Sequence, residues 1–158
     1  MVVMGWLEWM PLRWGEVHVP GMVWTELQRR SVRGDWEKLE DACCQGWLRV
    51  TAVTDTVAVA ALGAMDLHPG ECEAIILAAE LQATCLIIDE RDGRRAAMGK
   101  CLPITGTVGM VLWAKFHGFI PSARQAMVEL RRRANFFLHD GLIEHIAREA
   151  GEAKLLLG

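Results

Sequence analysis

The sequence predicts a single α/β domain built on a parallel sheet, and three observations carry that expectation. Strand-like and helix-like patterns alternate almost throughout, as they do where crossover helices join parallel strands in a right-handed sense. The continuous run Thr84 to Ile88 ends in Asp89-Glu90, the form of a strand covered on both faces. The 158 residues are 52% apolar and 23% charged, enough for one sizeable core but not for a second. One domain is expected over 1–150, with 151–158 as a C-terminal tail.

Gly5 to Trp14 has helical apolar spacing stopped by Gly15, and Glu16 to Val19 alternates as a short strand closed by Pro20. Pro20 suits a first helical turn, and Met22, Val23 and Leu27 give the following helix an apolar face. Ser31 to Asp35 reads as a loop, with Asp35 as N-cap of a helix from Trp36 to Gln45 that Gly46 ends. Leu48 to Val53 reads as a strand and Asp55 to Met65 as a helix. The turn His68-Pro69-Gly70 leads into Glu71 to Gln82, a helix so rich in Ala, Ile and Leu that nearly all its sides must be buried. After the strand at Thr84 to Ile88 come a helix from Arg91 to Lys100, a strand from Leu102 to Thr105 and a helix from Thr107 to His117. Two more helices are expected, from Pro121 to Arg133 and from Asp140 to Ala150.

Composition narrows the function classes. The longest uncharged run, Cys101 to Ala114, has 14 residues and is broken by Pro103, Gly106 and Gly109. It falls short of the roughly 18 to 20 needed to span a bilayer, so no membrane partner is expected. A net charge of −3 creates no global cationic field, which restricts any nucleic-acid contact to a local patch. The N-terminus lacks the form of a signal peptide, so the expected location is cytoplasmic. Five cysteines without C-x-x-C spacing suit reduced core thiols. Four of the seven tryptophans, Trp6, Trp9, Trp14 and Trp24, crowd the first 24 residues, where they serve either the core or a partner surface.

In open parallel sheets, ligands bind beyond the carboxyl ends of the strands, where Asp89 and Glu90 fall. Glu71 and Glu73 begin the helix before that strand, and Glu26 lies on the helix after the first strand. Carboxylates gathered at one edge repel one another, and a hard divalent cation is the simplest way to keep them ionised together. Acids at helix N-termini also complement the macrodipole, which accounts for Glu26 and Glu71 singly without a cation. Glu71 and Glu73 diverge by about 200° around a helix, so one is expected to be the ligand and the other a supporting or surface group.

These residues carry a family resemblance. Gly70-Glu71-Cys72-Glu73-Ala74-Ile75 with Leu77-Ala78 and Glu80, then Leu86 to Arg91 with Gly93-Arg94 and Ala96, resembles a branch of the VapC-like PIN-domain nucleases. Val19-Pro20, Val23-Trp24, Glu26-Leu27, Thr105-Gly106-Thr107, Gly109, Ala114-Lys115 and Gly118 extend the likeness, in the family's order, over most of residues 15–130. The resemblance implies a Rossmann-like, three-layer fold with a central parallel sheet. It further implies an acidic pocket that binds Mg²⁺ or Mn²⁺ and directs water at an RNA phosphodiester. Carried over by position, the site acids are Glu26, Glu71 or Glu73, and the pair Asp89 and Glu90; the metal ligands are Glu26, Glu73 and Asp89. Glu90 stands where the family often has a second Asp. The family begins with a central apolar strand that ends in an Asp, whereas Met1 to Gly5 aligns best with the helix after it. The N-terminal strand and first acid are therefore expected to be missing, through an upstream start, which is favoured, or through a shortened chain whose sheet lacks its middle strand.

Arg94, beside the acids, and Thr107, at a helix start, are the expected RNA-binding residues. Thr107 serves equally as an ordinary N-cap, and Arg131 to Arg133 reads as a solvated face. The five histidines show no metal-ligand spacing and are assigned no chemistry. The leading expectation is a metal-dependent endoribonuclease, the toxin of a type II toxin–antitoxin pair, with RNA and a cognate antitoxin as partners and a homodimer as its state. The alternative is a catalytically silent PIN-like module that binds a partner protein. A nucleotide-binding regulator is weaker, because no Gly-rich phosphate loop follows a strand.

Overall fold

The computed structural model describes residues 6–31, 33–133 and 138–152. They group into two compact units, Trp6–Thr105 and the residues from Gly106 onward. The first unit opens with a 3-10 turn at Trp6–Glu8 and the short helix α1 (Met10–Trp14), where one continuous helix was expected. Pro11 suits the first turn of α1, and Gly15 ends it at φ 71°, a left-handed conformation that costs glycine little. The expectation about the N-terminal strand concerns residues 1–5, which lie outside the described residues.

Strand β1 (Val17–Pro20) leads directly into α2 (Gly21–Arg30), so Pro20 ends the strand and takes the N-cap position rather than a place in the helix. Helix α3 (Arg33–Cys44) begins earlier than its sequence suggests. Asp35 thus sits in its first turn instead of capping it, and an Arg33–Glu37 pair at 3.1 Å links that turn to the next. Strand β2 (Leu48–Thr51) pairs in parallel with β1, matching Val17 to Leu48 and Pro20 to Thr51. Helices α4 (Thr56–Gly63) and α5 (Pro69–Glu80) precede β3 (Leu86–Ile87), and α6 (Arg91–Gly99) precedes β4 (Ile104–Thr105). β3 and β4 are parallel, and Leu86 N–H to Pro103 O and Ile88 N–H to Thr105 O extend their pairing. The mixed α/β architecture with parallel pairing is the expected one, but among the described residues the strands form two short pairs.

Helix α5 is the hub of this unit. It contacts β1, β3, α2, α4 and α6, and buries Cys72, Ile75, Ile76, Leu77 and Ala78. Covered sides leave little room for a polar face, which explains its continuous apolar composition. A second cluster gathers Leu39, Ala42 and Leu48 with the half-buried Trp24, Trp36 and Trp47. The Trp24 and Trp36 rings are 4.8 Å apart, and Trp9 is buried. These rings are part of the core and not of a free aromatic patch. All five cysteines are free, but only Cys72 is a fully buried core thiol; Cys44 and Cys101 are exposed.

The second unit is helical. α7 (Thr107–Phe116), α8 (Ala123–Arg133) and α9 (Asp140–Glu149) pack on one another. Met110, Val111, Met127 and Ile146 are among its fully buried side chains. Glu152, in the expected C-terminal tail, accepts hydrogen bonds from Ala123 N–H, Arg124 N–H and the Ser122 hydroxyl, and so caps the start of α8. No helix among the described residues is long and apolar enough to cross a membrane.

Candidate active site

The start of α5, the middle of α2 and the end of β3 enclose a cavity of about 200 Å³ in the first unit. Its position follows from local structure. Helix α2 packs on α5, which sets Glu26 opposite the first turn of α5, and β3 ends at the same edge with Asp89 and Glu90. Four carboxylates, Glu26, Glu71, Asp89 and Glu90, therefore line one cavity, together with His68 and the apolar Val23, Ala74 and Ile87. Asp89 and Glu90 are exposed at its edge, whereas Glu26 and Glu71 are half-buried.

Glu71 differs from its neighbours. Helix α5 starts at Pro69, two residues before the expected start, which makes Glu71 its third residue. From there Oε2 reaches back to accept the His68 backbone N–H at 3.3 Å, one half of a capping box. Oε1 is buried and has no hydrogen-bond partner among the described residues. Such an atom costs the fold about 1 to 3 kcal/mol when nothing meets it. Glu71 also leaves its mark on Cys72, whose thiol is pushed above 9.0 by burial first and by the Glu71 charge second. Cys72 therefore stays protonated near neutral pH and is no nucleophile.

Glu73 faces elsewhere. Its Oε2 accepts the Met22 N–H at 2.8 Å and closes the N-terminus of α2, as the helical divergence of the two acids requires. Of the expected ligand set, Glu26 and Asp89 line the cavity with Glu71, and Glu73 does not. Arg94 stands near this edge on α6, where its Nη1 donates to the Ile88 carbonyl at 2.9 Å. Thr107 is buried as the first residue of α7 in the other unit, where Gly106 holds the N-cap position expected of Thr107. Arg131 pairs with Asp140 and Arg132 with Glu129, as a solvated face would.

His68 is the residue that sequence reasoning passed over. It lines the cavity and places Nδ1 3.3 Å from Glu26 Oε1. Its place immediately before Pro69-Gly70-Glu71, at the N-cap of α5, is the signal that would have drawn attention to it.

The donor set fits a hard divalent cation in kind: several carboxylate oxygens, one of them buried without a partner. It is not a finished cage, because among the described residues no three His, Cys, Asp or Glu side chains converge closely enough to hold an ion. A family model described as a PIN domain matches residues 2–152. The chain belongs to the PIN-domain family. No curated protein and no solved structure matches the sequence. The family supports a nuclease-like fold for this PIN domain, with the acidic cavity at the strand ends where α/β folds bind their ligands.

Proposed function

We propose that this PIN domain is an endoribonuclease that uses Mg²⁺ or Mn²⁺ held by Glu26, Glu71 and Asp89. The observation that carries the reading is that Glu71, whose Oε1 is buried without a partner among the described residues, lines a cavity with three further carboxylates. A cation there supplies an acidified water and neutralises phosphate charge. The chain's own groups prepare the rest. Val23, Ala74 and Ile87 give the cavity apolar walls that strengthen electrostatic contacts inside it. The anchored Arg94 offers its remaining guanidinium N–H groups to a backbone phosphate. His68 steadies Glu26 through its Nδ1 contact, and Glu90, exposed at the edge, accepts a proton from an approaching water.

The resemblance to VapC-like proteins supports the finer reading of a type II toxin, with RNA as substrate and an antitoxin as partner; a cytoplasmic location and a homodimer complete that reading. The second reading is a silent module that binds a protein partner. One experiment separates them. The folded chain, alone and with the in-frame residues upstream of Met1, is incubated with a pool of single-stranded RNA. Cleavage that requires Mn²⁺ or Mg²⁺, stops with EDTA and is stronger in the extended form supports the nuclease. An RNA pool left intact by both folded forms supports the silent module.

A further inference from the structure

Gly93 is a glycine in the third position of α6, buried where the helix passes the end of β3 and the start of α5. On helix propensity alone alanine would serve this position better. Space explains the choice. A Cβ added at Gly93 would stand 2.8 Å from Glu71 Oε1 and 2.6 Å from Ile88 Cδ1, both closer than such atoms approach in proteins. The oxygen it would strike is the buried one without a hydrogen-bond partner. The second half-buried acid of the cavity has a similar neighbour: a Cβ at Gly70 would lie 3.1 Å from Glu26 Oε1.

We propose that Gly93 is a positioning residue, whose missing side chain is the space that holds the Glu71 carboxylate in the cavity. Oε2 is held by the His68 N–H, and nothing among the described residues bonds to Oε1, so the side of the carboxylate that faces Gly93 is placed by shape. The Glu71 side chain ends in a flexible carboxylate, and a methyl group at position 93 can be accommodated by turning it away. The fold then loses the His68 N–H bond and must shift Ile88 Cδ1, while the site loses its inner acid. The proposal rests on the nuclease reading for its purpose, but the placement of Glu71 by Gly93 is measurable without any metal.

The test is a thermal-stability cycle together with Mn²⁺ titration of the full chain. In the parent, Glu71→Gln changes the melting temperature because it alters a confined group. In Gly93→Ala, where the carboxylate has been turned out, the same substitution is expected to change it little, and the difference measures the coupling. Mn²⁺ affinity is expected to fall roughly tenfold or more in Gly93→Ala, as it does when a group that orients a ligand is removed. Adding Glu71→Asp, with its shorter side chain, should recover part of that loss.

The Ile88 contact is separated by Gly93→Ala with Ile88→Val, which removes Cδ1 and keeps the chain folded if crowding against Ile88 unfolds the single variant. Mn²⁺ affinity that stays low in this folded pair supports the proposal. Recovery of affinity by Ile88→Val alone, or additive effects of Gly93→Ala and Glu71→Gln on stability, overturns it. If neither the parent nor the extended form takes up Mn²⁺, the nuclease reading fails, and the stability cycle still decides whether Gly93 places Glu71.

Discussion

The two ends of α5 carry glutamates with opposite surroundings. At the C-terminal end, Glu80 accepts the Thr54 N–H, the Thr54 hydroxyl at 2.8 Å and the Asp55 N–H at 2.7 Å, and so ties α5 to the start of α4. At the N-terminal end, Glu71 has one bond at 3.3 Å and an oxygen with no partner among the described residues. The first carboxylate is satisfied by backbone and hydroxyl donors and holds two helices together. The second leaves acceptor capacity unused where water is excluded, which a fold retains only at a cost. One helix thus uses the same residue type for assembly at one end and leaves an acceptor unpaired at the other.

The largest expected effect breaks or sustains that contrast directly. Glu71→Gln should lower Mn²⁺ affinity and RNA cleavage on the order of 100-fold, while the melting temperature rises. Glu80→Gln should do the reverse, lowering the melting temperature by a few degrees without altering Mn²⁺ affinity. Calorimetric titration and thermal melts of both variants decide it. Equal effects of the two substitutions on both readouts would show that the ends of α5 do not differ in role.

Much of this contrast could be anticipated from sequence, though not which acid would point inward. The periodicity of α5 is strong because nearly all its faces are covered, so the helix and its acids could be placed. That Glu71 and Glu73 diverge follows from helical geometry alone. Which one enters the cavity depends on α2, whose Met22 N–H captures Glu73 from 51 positions away. His68 escaped for the same reason, since its partner Glu26 lies on another helix. Local readings failed where local signals competed. Ser31 to Asp35 has a glycine and mixed charges that suggest a loop, yet α3 already begins at Arg33. The run Thr84 to Ile88 forms a ladder only at Leu86–Ile87, because the chain bends into α6 directly after Asp89.

Glu73 gives a smaller and sharper test. If it belongs with Glu80 as a helix-closing acid, Glu73→Ala should cost about 1 kcal/mol of stability, the usual value of a lost cap. Mn²⁺ affinity should stay unchanged. A loss of Mn²⁺ affinity as large as that of Glu71→Gln would instead return Glu73 to the ligand set and undo the division of roles along α5.

The smallest effect is a pH dependence shared by the satisfied carboxylates of both units. The Asp55 N–H, together with the Thr54 hydroxyl and N–H, outweighs desolvation and holds Glu80 below its ordinary 4.5. For Glu152, burial acts to raise the value, but the Ala123 and Arg124 N–H groups, the Ser122 hydroxyl and the Lys115 charge together bring it below 4.5. A folded value below the unfolded one means that the folded state prefers the charged form. The stability each acid adds is complete above about pH 4.5 and is lost as pH falls through the lower folded value. Melting temperature measured from pH 7 down to pH 3 should therefore decline below about 4.5. Glu80→Gln and Glu152→Gln should each flatten part of that decline, because an amide cannot titrate. A curve that is unchanged by both substitutions would mean that these carboxylates do not bind more tightly when charged, and the distinction between capping and cavity acids would lose its electrostatic basis.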